Sequence, residues 1–483
     1  MGISLNPATI LSGQGLDVSS VVQQILSEQS GTLTVWEGEE TTLASQDGVL
    51  DGINNDLANL QTAVQELSNP SGALTAQAAT SSDSSIVSAT AQSSAISGTH
   101  EIVVNSLATT GTLYTDPIAS ASTSFLASGQ TSGEVQLQVG GASGTTYDIP
   151  ITQGSNDTLT TLASYINSQS SANGWGVTAS VVNNGSGSVL ALQSQSSGSP
   201  GALAIATNSN TTLTFATPEG GTNASFSIDG VPFTNSSNTV SGAIQGVTLN
   251  LASAAPDTSV ELTVGPDTSQ VTTAVNNFVS AYNTVISAIN AQYVVDPTGA
   301  TPAPPLESDI SLRSLQSSLL SDAEYAVTGN SGLVNLAALG ITTNNDGTLT
   351  VGTAANGESF AQILAANPSA VQNFFQNSSS TGFANNFNTD LTNLTDATRG
   401  PLNADLASNQ AEEQSLTTDI TNFQTQLASE QTSLTAQYDS VNASLQSYPL
   451  LLQEVTETLS SIDSGDGSST GSSGSIPTLT TGL

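Results

Sequence analysis

The sequence predicts a multidomain α+β chain in which helices from the two ends pair as a coiled coil or helical bundle, with β-rich domains inserted between them. Two apolar stripes of helical period and a middle of alternating strands and turns carry that prediction. From Leu402 onward, Leu406, Leu416, Ile420, Phe423, Leu427, Leu434, Tyr438, Val441, Leu445, Tyr448, Leu452, Val455, Leu459 and Ile462 recur mostly at steps of three, four or seven. This is a heptad seam along one long helix. Trp36, Leu43, Leu50, Ile53, Leu57, Leu60, Val64 and Leu67 follow the same rule near the start. Two such stripes imply one shared core, and the pairing as read sets Leu57 near Leu427.

The elements follow in order. Leu16 to Leu26 opens with Asp17, Ser19 and Ser20 as candidate caps and places Val18, Val21, Val22 and Ile25 on one face of a short helix. Gly31, Gly38, Gly48 and Gly52 interrupt the next helix, each costing about 1 kcal/mol relative to alanine. Residues before about Trp36 are therefore expected to fray in the free subunit. Asn69, Pro70 and Gly72 end the block. Strand alternation then appears at His100–Val104, Glu134–Val139, Val177–Val182 and Val189–Leu192, with Asn183 to Gly187 as a hairpin turn. One helix, Thr158 to Asn167, breaks the β pattern. Ala224 to Phe233 turns at Asp229 and Gly230, and Val247–Leu251 and Val260–Val264 supply further strands.

Thr268 to Ala291 returns to helix, with Val271, Val275, Phe278, Val279, Tyr282 and Ile286 on one face. A Pro-rich connector, Pro297 to Pro305, leads to a helix at Ile310–Leu320 and a hairpin at Ile341–Val351 around Asn344, Asn345, Asp346 and Gly347. Gly400 and Pro401 mark the start of the long seam. Pro449 is expected to kink or break it, separating a longer proximal arm from a short distal one. Ser464 to Ser475 is Gly/Ser-rich and is expected to be disordered.

Composition excludes several function classes. With Lys+Arg 2 against Asp+Glu 39, a formal charge of −37, the chain cannot neutralise phosphates, so neither nucleic acid nor an anionic membrane is a partner. The two cations are Arg313 and Arg399. The absence of cysteine excludes disulfides, thiolate metal sites and a cysteine nucleophile. Met1 to Gly15 has neither a basic start nor a sustained apolar run, so an extracellular destination needs a route without a cleaved signal peptide. No run approaches the roughly 18 apolar residues of a membrane span.

Chemistry-bearing residues are sparse. His100 is the only histidine, and within its strand it faces solvent or a neighbour rather than serving as a base. There is no lysine and no GxxxxGK[ST] loop. A glycosidase needs two carboxylates, for which Glu412 with Glu413 or Glu39 with Glu40 qualify by type alone; solvated helix faces explain both pairs. Asn344 to Gly347 lacks the acidic first ligand and terminal glutamate of a calcium loop. No catalytic, cofactor-binding or metal-binding residue is assigned, and no cofactor is expected.

Several stretches, in matching order, resemble the flagellar filament-capping protein family, also called flagellar hook-associated protein 2. Gly15–Ile25 (GLDVSSVVQQI) is similar to that family's amino-terminal signature, and Gly98–Ala108 (GTHEIVVNSLA) to its strand leading into a Leu-Ala pair. Thr158–Leu192 resembles a helix, strand and hairpin shared with flagellin-related insert domains. Phe226–Leu249, Ala274–Tyr282 (AVNNFVSAY), Ser311–Gln316 (SLRSLQ), Leu339–Leu349 (LGITTNNDGTL) and Asn367–Phe375 (NPSAVQNFF) continue the ordered set. The pattern departs from the family at Gly31 and Gly38, within the usual first helix, and in lacking the basic residues of the coiled-coil arms.

The resemblance implies a non-enzymatic structural subunit assembling as a ring, commonly a pentamer, at the distal end of the growing filament outside the cell. Its implied partners are further copies of itself, flagellin and the hook–filament junction proteins. It also implies leg-like paired termini. Organisation and resemblance together divide the chain into terminal arms (1–35 and 449–483), a helical-bundle domain with a β hairpin (36–75 and 268–448), a β-rich domain (76–112 and 218–267) and an inserted β-rich domain (113–217).

Leu57, Leu60, Val64, Leu416, Ile420, Phe423, Leu427, Leu434, Tyr438 and Leu445 are the expected seam and assembly contacts. Val21, Val22, Ile25, Leu452, Val455, Leu459 and Ile462 are the expected filament contacts. The rival reading is a secreted acidic adhesin or surface-layer protein binding host mucin, for which the same Ser/Thr-rich, cysteine-free composition is natural.

Overall fold

The computed structural model describes residues 17–463 apart from 295, 378 and 380, so the Ser464–Ser475 stretch expected to be disordered lies outside the described residues. Helix α1 (Val18–Gln29) starts where the Asp17 carboxylate accepts from the Ser20 N–H at 3.1 Å. Helix α2 (Gly31–Ser68) follows directly. It runs through Gly38, Gly48 and Gly52, at each of which an added Cβ would meet nothing within 4 Å. These glycines therefore lower helix propensity without serving close packing. The apolar stripe offsets that cost: Leu50, Ile53 and Leu57 are almost fully buried, and each large side chain removed from water contributes about 1.5–3 kcal/mol. The structure thus carries helix from Val18, where fraying was expected up to about Trp36.

Next come β1 (Gln77–Ser81), β2 (Val87–Ala91), β3 (Gly98–Ser106), β4 (Thr110–Tyr114), β5 (Ser132–Val139) and β6 (Thr145–Thr152). Helix α3 (Leu159–Asn173) begins in a reciprocal capping box between Thr158 and Thr161 and ends at Gly174, whose φ is +67°. It is followed by β7 (Val177–Asn183), β8 (Ser188–Ser197), β9 (Leu203–Ser209), β10 (Ala224–Ile228), β11 (Val231–Asn235), β12 (Thr239–Ile244), β13 (Val247–Leu251) and β14 (Val260–Pro266). Helices α4 (Thr268–Ala291) and α5 (Ile310–Ala323) precede the hairpin β15 (Ile341–Thr343) and β16 (Leu349–Val351). Then come α6 (Phe360–Ala366), α7 (Pro368–Phe375), α8 (Phe383–Leu394) and α9 (Pro401–Asp463).

The described residues fall into two compact units, one of 17–59, 284–320 and 391–463, the other of 60–283 and 321–390. That division cuts through the expected helical-bundle domain of 36–75 and 268–448.

The second unit holds two β cores and an aromatic helical core. In the first β core a five-stranded sheet, β1-β14-β3-β10-β11, and a three-stranded sheet, β12-β13-β2, bury Ile102, Val104, Phe226, Leu249, Val260 and Leu262 between them. All pairings are antiparallel. The β10–β11 turn has positive φ at both Asp229 (51°) and Gly230 (79°), as a two-residue primed turn requires. Asp229 also accepts from the Glu101 N–H at 2.9 Å and meets His100 Nδ1 at 2.8 Å, which pins the hairpin tip to β3. Those bonds hold the Asp229 carboxyl below its ordinary range, the His100 contact being the larger cause.

The other β core joins sheets β4-β8-β7 and β6-β5-β9 with α3, and Trp175 stacks on Tyr147 at 4.9 Å. In the helical core, Phe383 lies between Phe374 (stacked, 5.3 Å) and Phe278 (edge-on, 5.7 Å), with Phe375 and Phe387 completing the cluster.

The first unit consists of helices, of which α9 is the longest. Its 63 residues span about 95 Å at ~1.5 Å per residue. Of the expected kink or break at Pro449, the break does not occur: α9 continues through it. Proline removes one N–H and so leaves the Leu445 carbonyl without its helical donor. In a segment this exposed, solvent can supply that donor, and the turns on both sides persist.

Candidate functional site

The feature with a surface to offer is the pairing of α1 and α2 with α9, together with the end of α9 that outruns it. Leu43, Leu416 and Ile420 form a buried cluster with Leu33 and Trp36 packed against it. Trp36 meets Phe423 edge-to-face at 5.5 Å. Polar contacts flank this seam. Gln29 Nε2 donates to Glu430 at 2.9 Å, Thr417 Oγ1 to Glu40 at 3.0 Å, Asn409 Nδ2 to Asp47 at 2.9 Å, and Asn54 Nδ2 to Asn403 at 3.1 Å. As the residue number rises from 29 to 54, the partner on α9 falls from 430 to 403, so the pairing is antiparallel.

That register corrects the expected pairing of Leu57 with Leu427. Leu427 instead lines an open groove with Leu26, Ser27 and Ser30. Leu57 lies roughly 40 Å away along the helices at ~1.5 Å per residue. A stripe read from periodicity fixes which face is apolar but not which turn meets which.

Every polar contact named here is a neutral donor on a carboxylate or amide oxygen. The chain's two cations are engaged otherwise, Arg313 over the Tyr293 ring at 5.5 Å and Arg399 beside Asp396. Both faces of the seam are acidic, with Glu40 and Glu413 lining the same groove. Burial raises the Asp56 carboxyl on α2 above its ordinary range.

The expected site residues sort by burial. Leu57, Leu60 and Val64 are fully buried, Leu57 in the first unit and the other two in the second. Leu416 and Ile420 are buried, while Phe423, Leu427, Leu434, Tyr438 and Leu445 are half-buried. Among the expected filament contacts, Val21 and Val22 differ from expectation: they are 8% and 2% exposed because α1 packs onto α9. They belong to the subunit's own core. Ile25 is half-buried. The distal set is open, with Leu452 at 59%, Val455 at 53%, Leu459 at 63% and Ile462 at 70% exposure.

Tyr448, Leu450 and Leu451 are also exposed; none is among the expected contacts, although Tyr448 stands in the heptad series, and the other two lie outside it. Only exposure on the described surface brings Leu450 and Leu451 in. Contiguous apolar exposure of this kind marks an interaction surface. Among the described residues no group of three metal-binding side chains converges, and no helix is long and apolar enough to cross a membrane.

Known proteins match along most of the chain. The profile of the flagellar hook-associated protein 2 N-terminus matches residues 14–111, and that of its C-terminus residues 221–448. The B-type flagellar hook-associated protein 2 of Pseudomonas aeruginosa is 28% identical over 457 residues, covering 89% of this chain and 93% of its own. Flagellar hook-associated protein 2 of Escherichia coli is 27% identical over 358 residues, covering 70% and 74%. The crystal structure of the D1-D2-D3 domains of the E. coli flagellar cap protein FliD superimposes with a TM-score of 0.54 at 26% identity, over 75% of this chain and 99% of that one. That structure spans helical parts from both ends of the chain and the β domains between them, as this fold does. None of these matches supports the adhesin or surface-layer reading. With both terminal profiles matched in order around a shared architecture, this chain belongs to the flagellar hook-associated protein 2 family.

Proposed function

We propose that this chain is the structural cap subunit at the distal end of the bacterial flagellar filament, where it promotes flagellin polymerisation and prevents flagellin from leaking away. The observation that carries the reading is the match to a protein described as the flagellar cap, over nearly all of that protein's crystallised length. The work is geometric rather than catalytic: the distal stripe of α9 offers apolar side chains to neighbouring subunits.

The finer assignments rest on the family resemblance and on surface chemistry. The subunits form a ring, with a pentamer as the expected number, and contact flagellin and the junction proteins. Leu452, Val455, Leu459 and Ile462, together with Leu450 and Leu451, make the filament contact. Residues 76–112 with 218–267 and residues 113–217 serve as separate β domains of the cap. The deciding experiment is deletion and complementation. A strain lacking this protein should release unpolymerised flagellin into the medium and regain filaments when the gene is restored. Normal filaments in the deletion strain would reject the assignment.

A further inference from the structure

In the second unit, the last turn of α5 buries an acid. Asp322 is 6% exposed, and its Oδ2 meets no hydrogen-bond donor. The side chain it faces is Asp390 on α8, another carboxyl. Tyr282 of α4, itself fully buried, and Glu324, just beyond α5, are the other titratable groups in this neighbourhood. Two carboxylates can only repel, since each is acceptor-only when ionised. A carboxyl that has lost its water and faces a second one is satisfied when a proton lies between them. Neither Arg313 nor Arg399 acts on Asp322, so no cation replaces that proton.

We propose that Asp322 and Asp390 form a proton-sharing pair that ties the end of α5 to α8 beside the aromatic core and loosens that tie when the shared proton is lost. The pair is a pH-responsive element of the fold, independent of the role at the filament tip. Burial, followed by the hydrogen bond and charge of Asp390, pushes the Asp322 carboxyl up to about 8 from its ordinary 3.8. A raised carboxyl of this kind gives its full stabilisation below about pH 4, and that contribution falls as pH rises towards 8. The folded state holds one more proton than the unfolded state throughout that window. Local opening should therefore become about tenfold more favourable per pH unit, relative to a variant without the proton.

The test compares wild type with Asp322→Asn, whose amide can donate to the Asp390 carboxylate without a shared proton. Hydrogen exchange of amides in 321–323 and 384–390 is followed from pH 5.5 to 7.5 in full-length protein, corrected for intrinsic rates. Wild-type protection should fall about tenfold per pH unit relative to the variant, and parallel profiles would overturn the proposal. Infrared spectroscopy gives a second reading that does not depend on the variant folding. Wild type at pH 7 should show the carbonyl stretch of a protonated carboxyl, fading as pH rises through 8, and its absence at pH 7 would also overturn the proposal. Asp390→Asn, which removes the second carboxyl but leaves Asp322 buried, should move the loss of protection to lower pH and serves if Asp322→Asn does not fold, an unmoved profile overturning the proposal.

Discussion

The indole of Trp36 and the ring of Phe423 meet edge-to-face with centroids 5.5 Å apart and planes at 74°. This aromatic contact crosses the seam between the two ends of the chain, and it sits between the Gln29–Glu430 and Glu40–Thr417 hydrogen bonds. It therefore works as a register pin as well as a packing contact. Replacing Trp36 or Phe423 by alanine should each lower the stability of the helical unit by about 1–3 kcal/mol, part of it the ~0.5–1.5 kcal/mol specific to an aromatic pair. A double-mutant cycle followed by circular dichroism should return a coupling of that smaller size, and strictly additive losses would remove the pin.

The antiparallel register can be checked directly because the chain has no cysteine to interfere. Leu26→Cys with Leu427→Cys should crosslink within one subunit through a short bis-maleimide, since both line one groove. Leu57→Cys with Leu427→Cys should not. Crosslinking of the second pair at the first pair's efficiency would contradict the pairing described.

Filament contact and core residence predict opposite outcomes for the two apolar sets at the chain ends. Leu452→Asp with Leu459→Asp changes side chains that are 59% and 63% exposed. The folded subunit should keep its stability to within about 0.5 kcal/mol while filament growth is abolished. Normal motility in that double variant would remove the distal stripe from the contact.

Val22→Asp instead puts a charge where only 2% of the side chain reaches solvent. It should release α1 from α9, read as new protease cleavage between residues 18 and 30 in the isolated subunit, at a cost of about 2–4 kcal/mol for an unpaired buried charge. Protection equal to wild type would return Val22 to the surface set.

The seam should strengthen with salt. Its named polar contacts are neutral donors to acceptors, and the acidic faces of α2 and α9 repel without a cation between them. Raising ionic strength from 0.01 M to 1 M shortens the screening length from about 30 Å to about 3 Å. The melting temperature of the helical unit should climb accordingly, whereas a seam held by ion pairs would weaken.

Much of this fold was legible in the sequence because large apolar residues stood at helical or strand period. Helix α4 has the predicted bounds, Thr268 to Ala291, and α9 begins at the predicted Pro401. The hairpins at Asn183–Gly187, Asp229–Gly230 and Asn344–Gly347 announced themselves by turn chemistry. Strands β1 (QAATS) and β2 (VSATA) did not, since short side chains of Ala, Ser and Thr give no alternation to read. Strand β6 hid behind Pro150, which an edge strand tolerates, and β6 is an edge of its sheet. Helices α6 and α8 were likewise unread, and α7 entered only as the NPSAVQNFF resemblance; α6 and α7 are too short for a stripe to repeat, whereas α8 carries Phe383, Phe387, Leu391 and Leu394 at helical steps that could have revealed it. At the seam, the apolar face was visible while the register was not. Val21 and Val22 read as surface because nothing in their spacing revealed α1 folding back on α9.

Along the sequence, the residues of the β cores are bracketed by those of the helical pairing. The inner core draws on residues 113–213, the next on 86–108 and 224–264 around it, and the seam on residues from both ends. A polypeptide delivered from one end can seal the innermost core before its final two hundred residues arrive, but the outer clasp must wait for the tail. Maturation thus proceeds from the inside outward, with the paired helices closing last. Pulsed labelling that found the Trp36–Phe423 junction protected before the Trp175 region would reverse that sequence.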